Sequence, residues 1–341
     1  MTVESRGERG HMQILTFPPK LIDAYVSDVR RLMETGQVAE GAYYRDAAKE
    51  YVKGRSSVPV ASGGAAFYTL LAHQKYVHGK KIAIVQSNTM RALYTVPSLL
   101  DMKPLVVDSS YEDFLAMDPE ALTRALSDDA TRRHAVVLYS VIGGYLAPSF
   151  ARIAELCRRA KVPLIVDAAH GHYLDGLVAE PDVDIAYSYY ATKILPTGEG
   201  GLITTASEAT HAWVRRFLMY DRFENELKVG LNMRAGELTS VLIHRLMTDP
   251  SVLDHFKTAR VEVARRLVSA CRKQGVRFLD PDKAADYNGY KLVVLTPHEE
   301  LKGLGGALTE HAPTSPVFGT DVRGGPTTLP HWCPPTYPSL R

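Results

Sequence analysis

The sequence predicts an α/β protein: a mostly parallel sheet flanked by helices, followed by a small C-terminal α+β domain. Two observations carry this. Up to Thr205, short apolar runs rich in β-branched residues alternate with helical patterns, and after Thr205 consecutive helices replace the alternation. The length of 341 residues is ample for a sizeable core, as one large domain or two ordinary ones.

Residues 1–16 read as a mobile polar tail, and the opening dozen lack the apolar stretch of a secretory signal. From Lys20 to Met33, Leu21, Ile22, Tyr25, Val26, Val29, Leu32 and Met33 recur at helical spacing, and Gly36 follows as a stop. The runs Lys81–Val85, Pro104–Asp108, Ala135–Tyr139, Pro163–Asp167, Asp184–Ser188 and Gly201–Thr205 are mostly too short to be anything but strands. Helical patterns at Ala65–Tyr76, Pro119–Leu126 and Pro148–Ala160 lie between several of them; in the last, Ile153, Leu156 and Cys157 share one face. Then Glu208–Tyr220, Arg234–Met247 and Ser251–Gln274 follow without intervening strands. The remainder holds one expected strand, Tyr290–Leu295, a helix near Glu299–Leu308 and a proline-rich end, Pro326–Pro338. A large domain over 17–250 and a small one over 251–341 are expected.

Composition excludes several classes of function. Lys plus Arg at 40 against Asp plus Glu at 38 leaves +2, so no global field draws nucleic acid or anionic lipid. Cys157, Cys271 and Cys333 are far apart and form no Cys-x-x-Cys pair, which argues against a disulfide framework and a thiolate metal site and fits a reducing cytoplasm. The longest apolar stretch, Ala135–Ala147, is broken by Ser140 and two glycines and falls short of the roughly 18–20 residues of a membrane helix. Neither a membrane nor a nucleic-acid partner is expected, and no metal.

Three local patterns carry chemistry. Lys193 comes off a strand through Ser188-Tyr189-Tyr190-Ala191-Thr192, and Thr197-Gly198-Glu199-Gly200-Gly201 leads into the next strand. Lysine after a strand is ordinarily a surface cation. A Schiff-base lysine, however, needs a partly desolvated pocket, and a glycine-rich return lets the backbone wrap a flat ligand. Asp167 ends an apolar strand and precedes Ala168, Ala169 and His170. It either caps a turn or, with small alanines leaving room for a ring, holds a pyridinium nitrogen protonated as pyridoxal phosphate requires. His170 either bonds the cofactor's phenolic oxygen or is a satisfied core histidine. Ser62-Gly63-Gly64 precedes a helix whose first amides and dipole suit a phosphate. It is neither a dinucleotide fingerprint nor a Walker loop.

The ordered set resembles the DegT/DnrJ/EryC1/StrS aminotransferases, which are fold-type I pyridoxal-phosphate enzymes. Thr35 to Gly41 is similar to that family's early turn and Ser62 to Ala66 to its helix start. Asp167-Ala168-Ala169-His170, Ser188 to Lys193, Thr197 to Gly201 and Gly230-Leu231-Asn232-Met233-Arg234 match further elements in order. The resemblance implies that Lys193 is the catalytic lysine bound to pyridoxal 5'-phosphate and that Asp167 pairs its ring nitrogen. It implies that Ser188, Gly63 and Gly64 hold the phosphate, and that Asn232 reaches it from the neighbouring subunit of a homodimer with shared active sites. The implied reaction moves an amino group from glutamate or glutamine to a keto group of a sugar or sugar-like biosynthetic intermediate.

The pattern also departs from that family. Met90 stands where the family places an aromatic residue on the ring, Gly64 replaces the commoner threonine, and Ile194 replaces asparagine. The region after Gln274 matches poorly until Leu329-Pro330-His331-Trp332. These departures keep open a non-transaminating reaction on the same scaffold (elimination, decarboxylation or ring formation on an amino acid). A non-catalytic ligand-binding or regulatory relative is a further alternative, which loss of Lys193 or Asp167 would favour and their presence does not. His172 and Tyr173, like Tyr189 and Tyr190, are as readily packing residues as contacts; Arg234 could meet substrate charge, His331 and Trp332 could close the pocket, and Glu199 could brace the glycine return.

Overall fold

The structure is a computed structural model that describes residues 17–49, 52, 54–220 and 227–295. The expected helix at Glu299–Leu308, the proline-rich end, His331, Trp332, Cys333 and the N-terminal tail lie outside the described residues. The seven strands of the main sheet are β1 (Ser56–Val60), β2 (Ile82–Gln86), β3 (Lys103–Val107), β4 (Ala135–Ser140), β5 (Leu164–Asp167), β6 (Val183–Ser188) and β7 (Gly201–Thr205). Their order is β1-β7-β6-β5-β4-β2-β3, parallel throughout except for β7, which runs against both neighbours.

The sheet is covered on both faces, so its central strands read as nearly unbroken apolar runs. Side chains alternate between faces: Ala135, Val137 and Tyr139 of β4 join one core cluster, Val136 and Leu138 the other. The helix Gly63–His78 packs on β6 and β7, started by Ser62, whose hydroxyl accepts from the Ala65 amide at 3.1 Å, and closed by left-handed Gly79. The first helix spans Pro19–Thr35, with proline in its first turn and Gly36 at φ +71° ending it.

Two expectations change, and one strand, β1, was not expected at all. Strand β1 has no clean alternation, since Pro59 interrupts it; as an edge strand it tolerates the missing N–H. The helix expected from Arg234 starts at Glu237, because residues 233–235 instead run beside β1. There the Ala61 amide donates to the Met233 carbonyl at 2.7 Å, and Val60 bridges Arg234. The strand expected at Tyr290–Leu295 is not one: Asp286–Tyr287 pairs with Tyr145–Leu146, and only Val294 forms an isolated bridge, to Phe278. Its apolar residues pack Val293 and Leu295 against the core from a loop instead.

Candidate active site

Register gathers the candidate residues at one end of the sheet. Ser140 pairs with Asp167, Asp167 with Ala186, Ser188 with Gly201, and Gly201 with Val60. The carboxyl ends of β1, β4, β5 and β6 therefore open on the same side, where parallel α/β sheets bind ligands.

Glycines let these ends close on one another. A Cβ on Gly63 would lie 2.7 Å from the Ser188 Cβ, and one on Gly201 would lie 2.3 Å from the Ser62 carbonyl oxygen. Gly201 is thus required by the approach of β7 to the loop before the helix, whatever the return does for a ligand. Gly201→Ala is expected to cost about 1–3 kcal/mol by overpacking, read as a lowered urea midpoint; an unchanged midpoint would show that the loop yields freely. Next to Gly64 only the Ser62 hydroxyl lies within 4 Å of an added Cβ, at 3.6 Å. The amides of Gly63 and Gly64, the helix dipole and the Ser188 hydroxyl thus border one small space suited to an anion.

The loop carrying Lys193 is braced. Tyr189 and Ala191 amides donate to Gly200 and Gly198 carbonyls, the Lys193 amide donates to Tyr190, and Ile194 and Leu195 are buried. Burial lowers the pKa of Lys193 below the usual lysine value, with Asp167 opposing and Lys291 reinforcing the shift. Asp167 is pushed the other way: burial raises its pKa, while the Ala169 amide, donating to Oδ1 at 3.0 Å, and Lys193 hold it down. Among the described residues Oδ2 of Asp167 has no hydrogen-bond partner, nor has the Lys193 ammonium.

His170 is held neutral, its pKa depressed well below normal by burial and by the charges of Lys193 and Lys291. Its Nδ1 accepts from the Gly143 amide at 3.3 Å, which leaves the proton on Nε2 for donation. The donor set therefore fits pyridoxal phosphate: an anion cradle, an open carboxylate oxygen for a protonated ring nitrogen, a neutral imidazole donor and a lysine of lowered basicity. The profile of the DegT/DnrJ/EryC1/StrS aminotransferase family matches residues 19–320.

The chain belongs to that family.

Among curated relatives, it is 27% identical over 161 residues to L-glutamine:2-deoxy-scyllo-inosose aminotransferase of Micromonospora echinospora, covering 45% of this chain and 35% of the relative. It is 26% identical over 188 residues to 3-amino-5-hydroxybenzoate synthase of Amycolatopsis mediterranei, covering 52% and 47%. The chain thus matches less than half the length of these relatives. Solved structures of similar fold include a DegT DnrJ EryC1 StrS aminotransferase from Brucella abortus, at TM-score 0.68 and 21% identity, covering 82% of this chain and 77% of that one. Another is NtdA from Bacillus subtilis with bound PMP, at TM-score 0.69 and 16% identity, covering 84% and 67%.

Within this DegT/DnrJ/EryC1/StrS chain, Gly63, with Gly64 next to it, lies against Ser188, and Lys193 lies within reach of the charge of Asp167 and of His170. Met90 sits one residue beyond Thr89, whose hydroxyl contacts that of Ser140 beside Asp167, and its side chain is 61% exposed. Asn232 is exposed on the segment beside β1, away from its own chain's packing. Tyr189 and His172 are packing residues: both are fully buried, with ring centroids 4.8 Å apart. Arg234 pairs with Glu40 at 3.3 Å.

Sequence reasoning missed a cluster from the far end of the described chain. Asn288 is fully buried; its Nδ2 donates to the carbonyls of His170 and His172 at 2.7 and 2.8 Å, and its Oδ1 accepts from the Tyr290 amide at 3.0 Å. The Tyr290 hydroxyl donates to the Thr192 carbonyl at 3.0 Å, and its ring lies 4.7 Å from that of His170. The available signal was a lone asparagine and tyrosine in an apolar run.

His172 also makes stability pH-dependent. Its Nε2 donates to the Ser188 carbonyl at 3.1 Å, and burial lowers its pKa from 6.5 to about 4. Below about 6.5 the unfolded chain binds a proton that the folded chain refuses, so stability is full above that pH and falls as pH drops toward about 4. The loss attributable to His172 is on the order of 3 kcal/mol. Urea titrations at pH 7 and pH 4.5 should show it, and a His172→Phe variant should show a shallower loss; equal slopes would contradict this assignment.

Proposed function

We propose that this chain is a pyridoxal-phosphate-dependent aminotransferase that moves an amino group from glutamate or glutamine to the keto group of a sugar or sugar-like intermediate. The observation that carries the reading is the pairing, at the carboxyl ends of β5 and β6, of a lysine of lowered basicity with a half-buried carboxylate whose free oxygen faces no donor among the described residues. When bound, the cofactor supplies an electron-withdrawing ring that carries the amino group from donor to acceptor.

The protein's own groups divide the remaining work. Lys193 Nζ, its proton affinity reduced toward working pH, moves the proton at the substrate carbon. Asp167 Oδ2 would keep a proton on the ring nitrogen, and His170 Nε2 would donate to the phenolic oxygen. Ser188 with the Gly63 and Gly64 amides would bind the phosphate, and Met90, where an aromatic is usual, would supply a thioether to the ring. Glutamine as donor and a ring ketone as acceptor are supported by a curated relative named for L-glutamine and 2-deoxy-scyllo-inosose.

Asn232, exposed beside the β1 edge, is assigned to the phosphate of a partner subunit, so the working unit is a homodimer; a single-chain mass by light scattering would overturn this. A cytoplasmic location belongs to the same reading and is supported by Cys157 and Cys271, which are free and buried. Among the described residues no helix is long and apolar enough to cross a membrane.

The deciding experiment is the visible absorbance of the purified protein with pyridoxal phosphate, before and after L-glutamate or L-glutamine. Conversion to the pyridoxamine spectrum supports transamination. A bound cofactor that ignores both donors favours the non-transaminating reaction, and failure to bind leaves a ligand-binding scaffold.

A further inference from the structure

We infer that Asn288 and Tyr290 are positioning residues: they clasp the loops that follow β4, β5 and β6 and so fix Lys193 and His170 relative to one another. This rests on the roles proposed above for those two groups. Asn288 spends both N–H bonds of its amide on the loop after β5, at the carbonyls of His170 and His172, and its oxygen takes the Tyr290 amide. Tyr290 in turn reaches the loop after β6, where its hydroxyl donates to the carbonyl of Thr192, the residue before Lys193. Its ring lies 4.7 Å from that of His170, at an interplanar angle of 38°.

The loop after β4 closes the clasp. The amides of Asn288 and Lys291 donate to the carbonyls of Gly144 and Gly143, each at 3.1 Å, and the Gly143 amide donates to His170 Nδ1. Gly144 has φ +88°, and a Cβ there would overlap the Asn288 side-chain oxygen, so the close approach of Asn288 requires glycine at this position. His170 is thereby held at its ring nitrogen, at its carbonyl and at its ring, by Gly143, Asn288 and Tyr290. From behind, Gly289 at φ +76° presses on the helix Pro250–Lys273, where an added Cβ would lie 2.7 Å from the Val261 nitrogen. The clasp is backed by that helix.

Among the described residues, every side-chain hydrogen bond of the pair that leaves its own segment ends on a loop carrying a proposed site residue. An apolar pair could fill the same space with no polar group to satisfy; a fully bonded polar cluster adds fixed geometry, which packing alone does not specify as sharply. The chemistry has a use for that geometry. Lys193 and His170 would meet one ligand from two different loops, so the distance between the loops sets how well both can act at once. An error of about 1 Å in such a placement costs roughly a hundredfold in rate.

The test compares the wild type with Tyr290→Phe, which loses the hydroxyl and keeps the ring, and with Asn288→Ala, under conditions where circular dichroism shows each to be folded. Two probes are used: pyridoxamine phosphate, which has no aldehyde to join a lysine, and pyridoxal phosphate, fixed to the protein by borohydride at timed intervals and located at Lys193 by peptide mapping. Affinity for pyridoxamine phosphate should stay within a few-fold of the wild type, because the phosphate cradle is untouched. The rate of pyridoxal phosphate fixation at Lys193 should fall about ten- to a hundredfold in both variants. With L-glutamate the maximal rate of cofactor conversion should fall by a similar factor, while the concentration giving half that rate moves only a few-fold. A pair that serves stability alone would lower the urea midpoint and leave fixation and maximal rate of the folded protein unchanged, which overturns the inference. Pyridoxamine phosphate affinity lost in step with fixation overturns it too, since the pair would then be holding the cradle. If Asn288→Ala does not fold, Tyr290→Phe decides. A wild type that fixes pyridoxal phosphate but ignores both donors removes the aminotransferase reading, and fixation in Tyr290→Phe still decides the clasp; a wild type that fixes none removes both.

Discussion

Lys193→Ala is expected to lower the rate of cofactor conversion by L-glutamate or L-glutamine by at least about 10⁴-fold, with the fold intact. Two separate functions are lost together, the covalent hold on the cofactor and the proton transfer at the substrate carbon. The side chain leaves without strain, since the loop is held by backbone bonds at Tyr189, Ala191 and Lys193 and by the buried Ile194 and Leu195. Circular dichroism should therefore be unchanged, and borohydride should no longer fix pyridoxal phosphate to the protein. Lys193→Arg separates charge from chemistry: a guanidinium keeps the positive charge but does not deprotonate in working conditions, so it should be as inactive as alanine. Borohydride trapping that persists in Lys193→Ala would place the covalent bond on another lysine.

Asp167→Asn is expected to have the next largest effect, a loss of roughly 10²- to 10³-fold in the same half-reaction. The shapes are alike, and the amide oxygen of asparagine can still accept from Ala169, as Oδ1 does at 3.0 Å. What changes is the other atom, an NH₂ donor where a carboxylate oxygen had been. It cannot hold a proton on a ring nitrogen, so the ring withdraws electrons less strongly at the moment the proton leaves the substrate carbon. Burial raises the pKa of Asp167 and Lys193 opposes that rise, so the carboxylate is poised to share a proton with a basic nitrogen. Activity within tenfold of the wild type would mean that Asp167 serves only to cap its turn.

What could be read from the sequence and what could not divide along chain distance. The positions of Asp167 and Ser188 were legible because each ends a short apolar strand, and that of Lys193 because it follows one by five residues, so their places at one end of the sheet follow from a local pattern. The parallel sheet was legible for the same reason. The cradle at Gly63 was legible as a helix start, but its closure against Ser188 depends on strands more than a hundred positions apart. Asn288, Tyr290 and Lys291 were missed because their meaning lies in contacts with residues 143, 170, 172 and 192, and the local pattern pointed to a strand. The helix Ala92–Leu99 was hidden by Pro97, which ordinarily ends such a pattern.

Glu237 shows what such distant contacts mean for assembly. Its carboxylate is fully buried and accepts from the amides of Gly41, Tyr43 and Tyr44 at 3.0, 2.8 and 3.1 Å, joining positions 193 to 196 residues apart. A buried carboxylate with three donors is tolerable, and one with none is not. The segment Gly41–Tyr44 is made early on the ribosome, yet these three amides lack their acceptor until Glu237 has emerged and the sheet between them has formed. The entropy of closing so long a loop grows only logarithmically, but contacts of this separation form slowly. These three amides should therefore acquire protection from hydrogen exchange in a single late step, together, and a chain stalled before residue 237 should show none of it.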